Sequence, residues 1–222
     1  MFKKYYETRL QHTLPMPPHQ AHAHKLETSQ VDEIAQLLVG AFENGSGLSQ
    51  ICHAEGEELQ RRLRFLFRAG LAIQAAANQQ VLSVTQDERM TGVAVIQEPE
   101  SRFPLLAQIH WLLQVSLGIS PVVAWHLWQS LTILERHHPP EPHYYLMLLG
   151  VHPNFQRKGY ARALLEALHA RSEAHPTSIG VYLETANPQN MSLYKYFGYH
   201  LIRQVNINGV ENFIMFRPNF RE

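Results

Sequence analysis

The sequence predicts an α/β fold in which a mixed sheet of about six to seven strands is flanked by helices. Three observations predict it. Residues 144 to 151 are apolar at both parities, as a central strand covered on both faces must be. Helical and extended patterns then follow in the order helix, strand, helix, strand, strand. The first half adds two helical stripes and a pair of short strands, and a long uncharged stretch separates the halves.

Composition bounds what such a fold can do. With 222 residues, 45% of them hydrophobic and 17% charged, the chain can bury a sizeable core. We expect an arm over residues 1 to 20 and one domain over 21 to 222. Lys plus Arg balance Asp plus Glu at 19 each, so no net field favours nucleic acid and any anion site must be local. Cys52 is the only cysteine, which excludes an internal disulfide and a multi-cysteine metal cage and fits a reducing cytoplasm. Glu7 and Arg9 interrupt the basic start before any apolar run of signal-peptide length, so no export signal is expected. Residues 103 to 134 hold no Asp, Glu, Lys or Arg. Gln108, His110, Gln114, Gly118, Ser120 and Pro121 interrupt that stretch, so two helices are expected there rather than a membrane span.

Taken in order, the arm mixes Pro15, Pro17 and Pro18 with histidines and has no period. Residues 21 to 27 read as a first strand, and Ser29 with Asp32 resembles a capping box. Val31, Ile34, Ala35, Leu38 and Phe42 recur at helical spacing. Asn44-Gly45-Ser46-Gly47 reads as a loop, and Leu59, Leu63, Leu66, Phe67 and Leu71 mark a helix from Glu57 to about Ala77. Strands over 81 to 85 and 91 to 97 flank the polar turn Gln86-Asp87-Glu88-Arg89. A helix pair fills 105 to 135, broken at Gly118-Ile119-Ser120-Pro121. After the central strand, Ala161, Leu164, Leu165 and Leu168 form a helical stripe with Arg162, Glu166 and Arg171 off it. Residues 181 to 184 read as a buried strand and 191 to 197 as a short helix ended by Gly198. The last two strands meet at Asn208-Gly209, a dipeptide that supplies the positive φ angles of a tight hairpin.

The candidate ligand site lies where the central strand runs through Val151-His152-Pro153 into a polar loop and then a helix starting near Gly159 or Ala161. Unpaired N–H groups and the positive end of a helix dipole converge there, and a diphosphate suits them. Gly159 permits close backbone approach, Ala161 keeps the helix start small, and Arg157 and Lys158 add charge. The competing reading is an ordinary strand-to-helix connection with surface basic residues. No Gly-x-x-x-x-Gly-Lys-Ser/Thr loop and no Gly-x-Gly-x-x-Gly follows a strand, so coenzyme A is preferred to a nucleotide.

Three motifs in this half resemble the GNAT superfamily of acyl-CoA N-acyltransferases between residues 144 and 216. They are Leu149-Gly150-Val151-His152-Pro153 with Gln156-Arg157-Lys158-Gly159-Tyr160-Ala161, then Leu183-Glu184-Thr185-Ala186-Asn187-Pro188, then Asn190 through Tyr194 to Gly198-Tyr199. Glu141-Pro142-His143-Tyr144-Tyr145-Leu146 is similar to the branch containing puromycin N-acetyltransferase. Arg157 stands where many members of that branch have glycine, and Tyr199 replaces the usual Phe. The first 140 residues match only loosely, so acceptor specificity does not carry over.

The resemblance implies a centrally splayed sheet with an extra helix pair between the third and fourth strands. It implies that the backbone of Leu149, Gly150 and Val151 holds pantetheine, that Gln156, Arg157, Lys158, Gly159, Tyr160, Ala161 and Arg162 hold the pyrophosphate, and that Asn187 and Asn190 contact the cofactor or cap a helix. Acetyl-CoA is the implied cosubstrate, with no metal. Direct attack needs a neutral amine and an acid for the departing thiolate. Tyr194 is the implied acid, with helix packing as its competing role. Glu184, at the end of a buried strand, is the group to accept the substrate ammonium or relay its proton, with a structural hydrogen bond as the alternative. The expected reaction is transfer of acetyl to a primary amine of a small molecule. A protein N-terminus or lysine as acceptor, and a silent acyl-CoA sensor, are the alternatives.

Other residues are discounted. His12, His19, His22 and His24 read as a solvated arm rather than a metal site, and His137-His138 before Pro139-Pro140 as a helix end. His110, Trp111, His126 and Trp128 are expected to pack rather than line an acceptor pocket, and an exposed apolar face there would indicate a homodimer.

Overall fold

The computed structural model describes residues 19–101 and 105–220. Its strands are β1 (His22–Lys25), β2 (Gln80–Gln86), β3 (Arg89–Gln97), β4 (Tyr144–Val151), β5 (Gly180–Thr185), β6 (His200–Ile207) and β7 (Val210–Pro218). Its helices are α1 (Val31–Phe42), α2 (Ser46–Cys52), α3 (Gly56–Ala76), α4 (Leu105–Gly118), α5 (Pro121–Glu135), α6 (Tyr160–Ala174) and α7 (Pro188–Tyr196).

Strand alternation decides which helices lie on which face. Leu82, Ala94, Leu146 and Leu183 point to one side, where Leu164, Leu165 and Leu168 of α6 and Tyr194 of α7 cover them. Val81, Val93 and Val95, each adjacent in sequence to a member of the first set or one removed, point to the other side, against Ile34 and Leu38 of α1 and Leu63 and Phe67 of α3. Burial of each such side chain contributes about 1.5–3 kcal/mol. A third cluster, with Leu66, Val115, Val123 and Leu127, ties α4 and α5 to the outside of α3. The two-parity apolar run of β4 thus has its cause in helices on both faces.

The strands form one seven-stranded sheet in the order β1-β2-β3-β4-β5-β7-β6. Neighbours are antiparallel except β4 and β5, which are parallel and pair only at Tyr144–Val181 and Tyr145–Tyr182. Beyond Tyr145 the two strands part. Between the pairs Ile96–Leu146 and Val95–Leu148, Met147 is an extra residue on β4, a bulge of the kind that turns a strand away from its partner.

Several sequence expectations are corrected. The residues read as a loop at Asn44-Gly45-Ser46-Gly47 run into α2, which begins at Ser46. The capping box is not Ser29 with Asp32 but Glu27 with Gln30, whose Oε1 accepts the Glu27 N–H at 3.3 Å. Ser29 instead donates to Glu27 Oε2. Of the discounted histidines, His12 lies outside the described residues, as does the expected arm up to residue 18. His19 stacks on Tyr160 at 3.8 Å, and His22 and His24 belong to β1, where His24 Nε2 bonds Ser83 Oγ at 2.9 Å. Among the described residues no helix is long and apolar enough to cross a membrane.

Candidate active site

The gap between β4 and β5 presents main chain. The His152 N–H donates to Thr91 O at 2.9 Å, while Val151 lies opposite Gly92. That combination makes Val151–Gly92 a non-hydrogen-bonded pair, so the polar groups of Val151, and of Leu149 two residues earlier, point away from β3 into the gap. The carbonyl of Val151 is met there by Gln156 Nε2 at 3.2 Å. Gly150 serves differently: a Cβ on it would lie 2.7 Å from Leu38 Cδ2, so its role is to let α1 close on β4.

Beyond β4 the chain makes a short turn over Pro153–Phe155 and enters α6 through two left-handed residues, Arg157 at φ 61° and Gly159 at φ 94°. Gly159 is the N-cap and offers no side-chain cap, and the first intrahelical bond runs from the Ala163 N–H to Gly159 O at 3.0 Å. The N–H groups of Tyr160, Ala161 and Arg162 therefore face out of the helix start without an intrahelical partner. Arg157 holds a conformation that glycine would adopt at lower cost, which accounts for the glycine common at this position in the branch it resembles. Lys158 bends back to donate to Asn154 O at 2.9 Å, and Arg162 pairs with Glu166 at 2.7 Å. Tyr160 contributes main chain alone, because its ring is buried and its hydroxyl donates to Gln86 Oε1.

At the far end of β5, Asn187 caps α7, its Oδ1 accepting the Gln189 N–H at 2.9 Å. Asn190 lies in the first turn, its N–H bonded to Asn187 O at 3.1 Å. Tyr194, on the α6 side of the sheet, is buried beside Tyr199 at a centroid distance of 5.6 Å, and burial pushes its hydroxyl up to about 12.

Glu184 follows Leu183 on β5 and so points to the opposite face. Its side chain is 8% exposed and its Oε1 has no hydrogen-bond partner. His138 Nε2 lies 3.6 Å from that oxygen. Around the carboxylate stand Tyr145 and Tyr182, both pushed up in pKa by burial and then by the Glu184 charge, so both stay protonated. His137 does end α5, donating to Ile133 O at 2.8 Å, but His138 turns inward to this cluster. Sequence reading missed His138, His143, Tyr145 and Tyr182 as site residues. The two histidines lie on the connection between α5 and β4, far from Glu184 in the chain, and no spacing rule links them.

Residues 122–199 match the acetyltransferase (GNAT) family, a segment that contains β4, α6, β5 and α7. The fold is shared with an acetyltransferase from Corynebacterium glutamicum described as histone acetyltransferase HPA2 and related acetyltransferase, at 20% identity and a TM-score of 0.62 over 91% of this chain and 98% of that one. Arylalkylamine N-acetyltransferase 2 from Aedes aegypti matches at 14% identity and a TM-score of 0.58, over 89% of this chain and 98% of that one. A polyamine N-acetyltransferase from Drosophila melanogaster matches at 13% identity and a TM-score of 0.55, over 89% and 98%. The family match lies over the segment that carries the motifs, and the chain as a whole shares the fold of these acetyltransferases.

Proposed function

We propose that the chain is an N-acetyltransferase that moves acetyl from acetyl-CoA to the primary amine of a small molecule. The observation that carries the reading is the parting of β4 from β5 immediately before an uncapped helix start. An extended amide-bearing ligand can add to a strand edge, and its phosphates can take the N–H groups of the helix that follows. The residues present fit that ligand: Leu149 and Val151 offer the edge, and Tyr160, Ala161 and Arg162 offer the N–H groups, with Arg157 and Lys158 adding charge. Gly159 shapes the turn, Gln156 steadies Val151, and Asn190 is left available at the start of α7 while Asn187 caps it.

Acetyl-CoA supplies an acetyl group already activated as a thioester. The chain's own part is positioning and proton movement. The Tyr194 hydroxyl keeps its proton at neutral pH and gives it to the departing sulfur. Glu184 takes a proton from the acceptor's ammonium. Polyamine and arylalkylamine N-acetyltransferases among the shared-fold structures support a small amine as acceptor. The test is release of free thiol from acetyl-CoA in the presence of agmatine, spermidine, tyramine and tryptamine.

The partner in this reading is a second copy of the chain. Leu106, Leu113 and Leu117 on α4 and Val122, Trp125 and Trp128 on α5 are 44–88% exposed, one stripe on each helix. A standard interface takes roughly 800 Å² from each partner and is apolar at its centre, as this face is. No charged residue interrupts 105 to 134, and large apolar faces are rare on monomers.

A further inference from the structure

Glu184 Oε1 and the Tyr182 hydroxyl are two of five buried polar side-chain atoms without a partner among the described residues, and both lie in one cluster. The two bear on each other, the Glu184 charge raising the Tyr182 hydroxyl after burial does. His138 lies over the Tyr182 ring at 4.0 Å and meets Tyr145 edge-on at 4.8 Å. Its Nδ1 is 3.0 Å from His143 Nε2, and His143 Nδ1 is 2.8 Å from Glu141 O.

Those contacts fix where the protons sit when both rings are neutral. The Glu141 carbonyl only accepts, so His143 Nδ1 carries a proton and His143 Nε2 is bare. His138 must then donate from Nδ1, which leaves His138 Nε2 bare as well. A bare nitrogen and a carboxylate oxygen therefore face each other across 3.6 Å, two acceptors, while the donors that bear on the carboxylate are the Tyr145 and Tyr182 hydroxyls. Burial makes that unfavourable for the resting protein and favourable for an arriving proton.

We propose that Glu184 and His138 form one proton site that takes the proton of the acceptor's ammonium, and that His143 carries it to the surface. The inference rests on the transferase reading above. Acetylation removes two protons from an ammonium nitrogen: its lone pair forms the N–C bond, and the C–S pair leaves with sulfur. One proton ends on sulfur, by way of Tyr194, and the other must reach solvent. It settles on His138 Nε2 against Glu184 Oε1, the proton on His138 Nδ1 moves to His143 Nε2, and His143 releases its Nδ1 proton at the exposed Glu141 turn.

The surrounding groups suit this direction. Tyr145 on β4 and Tyr182 on β5 keep their own protons, and the Tyr182 ring lies against His138 at 4.0 Å, where its face favours a cation. Burial lowers His143, with a further lowering from His138, against the raising effects of the Glu141 carbonyl and of Glu135 and Glu141. His143 thus passes the proton on instead of storing it.

Two measurements test the proposal. In the ligand-free protein, imidazole nitrogen NMR should find His138 and His143 both protonated at Nδ1 when neutral. Glu184→Gln should move the His138 Nε2 resonance, because the carboxylate 3.6 Å from that nitrogen is lost. A proton on His138 Nε2 in the neutral protein, or a His138 Nε2 resonance that Glu184→Gln leaves in place, overturns the shared site. In thiol-release assays with an accepted amine, Glu184→Gln should lower kcat about 10²–10⁴-fold. His138→Asn should shift the acid limb of kcat, with the melting temperature checked for both variants. Turnover with an unshifted limb in His138→Asn overturns the relay and leaves the transferase standing. Absence of acetyl-CoA binding and of turnover with every amine overturns the transferase, and the relay with it, whatever the NMR gives.

Discussion

Tyr194 carries the heaviest chemical assignment on a single side chain. Its hydroxyl is buried, and with the pKa pushed up to about 12 it holds a proton throughout the neutral range. A group so disposed can give a proton to a thiolate and cannot act as a base. Tyr194→Phe keeps the ring against Tyr199 and removes only the oxygen, so kcat should fall about 10²–10⁴-fold with little change in the dissociation constant of acetyl-CoA. Unchanged kcat in that variant means that the sulfur obtains its proton elsewhere. Glu184 and Tyr194 were both visible in the sequence as residues of the right type in a family motif. The surroundings of Glu184 were not visible, because the imidazole facing it comes from His138, which in turn contacts His143, and His143 the Glu141 carbonyl. Contacts of that kind arise only when the α5–β4 connection folds over β5.

At the scale of elements, the distortion of β4 is the feature from which the site follows. The bulge at Met147 and the loss of pairing after Tyr145 turn an interior strand into an edge on one side while α1 still covers its face. Gly150 is where that cover is tightest. Gly150→Ala would put a Cβ 2.7 Å from Leu38 Cδ2 and 3.3 Å from Leu37 Cδ2. We expect a loss of about 1–3 kcal/mol, read as a fall in Tm of about 2–4 °C for each kcal/mol. A Tm equal to that of the unsubstituted protein would mean that α1 does not bear on β4 there. The elements were legible where periodicity was long: the Leu164, Leu165 and Leu168 stripe gave α6, and Asn208-Gly209 gave the β6–β7 turn, with φ of 53° and 84°. They were not legible where local signals were short or ambiguous. Gly45, Ser46 and Gly47 read as loop residues, yet α2 forms there, with Gly47 close against Ala186. Tertiary contact outweighed propensity at that point.

For the whole molecule, the uncharged helix pair sets the expected assembly. α4 and α5 bury Val115, Val123 and Leu127 on the inside and leave a second apolar stripe on each helix outside. At micromolar concentration the protein should sediment as a dimer, and Leu117→Glu, at a position 88% exposed, should yield a monomer with its fold intact. A monomer from the unsubstituted chain would contradict the second-copy reading. The even charge balance was plain from composition, whereas the exposure of this face needed the packing of α4 on α3.

The central claim is that the gap between β4 and β5, with the start of α6, binds acetyl-CoA for transfer to an amine. Cys52, the only cysteine, is buried with its thiol pushed up to about 11, so a thiol reagent reports released coenzyme with little background from the protein. The direct measurement is a thermal-shift titration with acetyl-CoA, followed by thiol release on adding the amine panel. Saturable stabilisation, by about 2.7 kcal/mol at a hundredfold excess over Kd, with thiol released only when an amine is present, is the predicted result. No stabilisation at millimolar acetyl-CoA would contradict it.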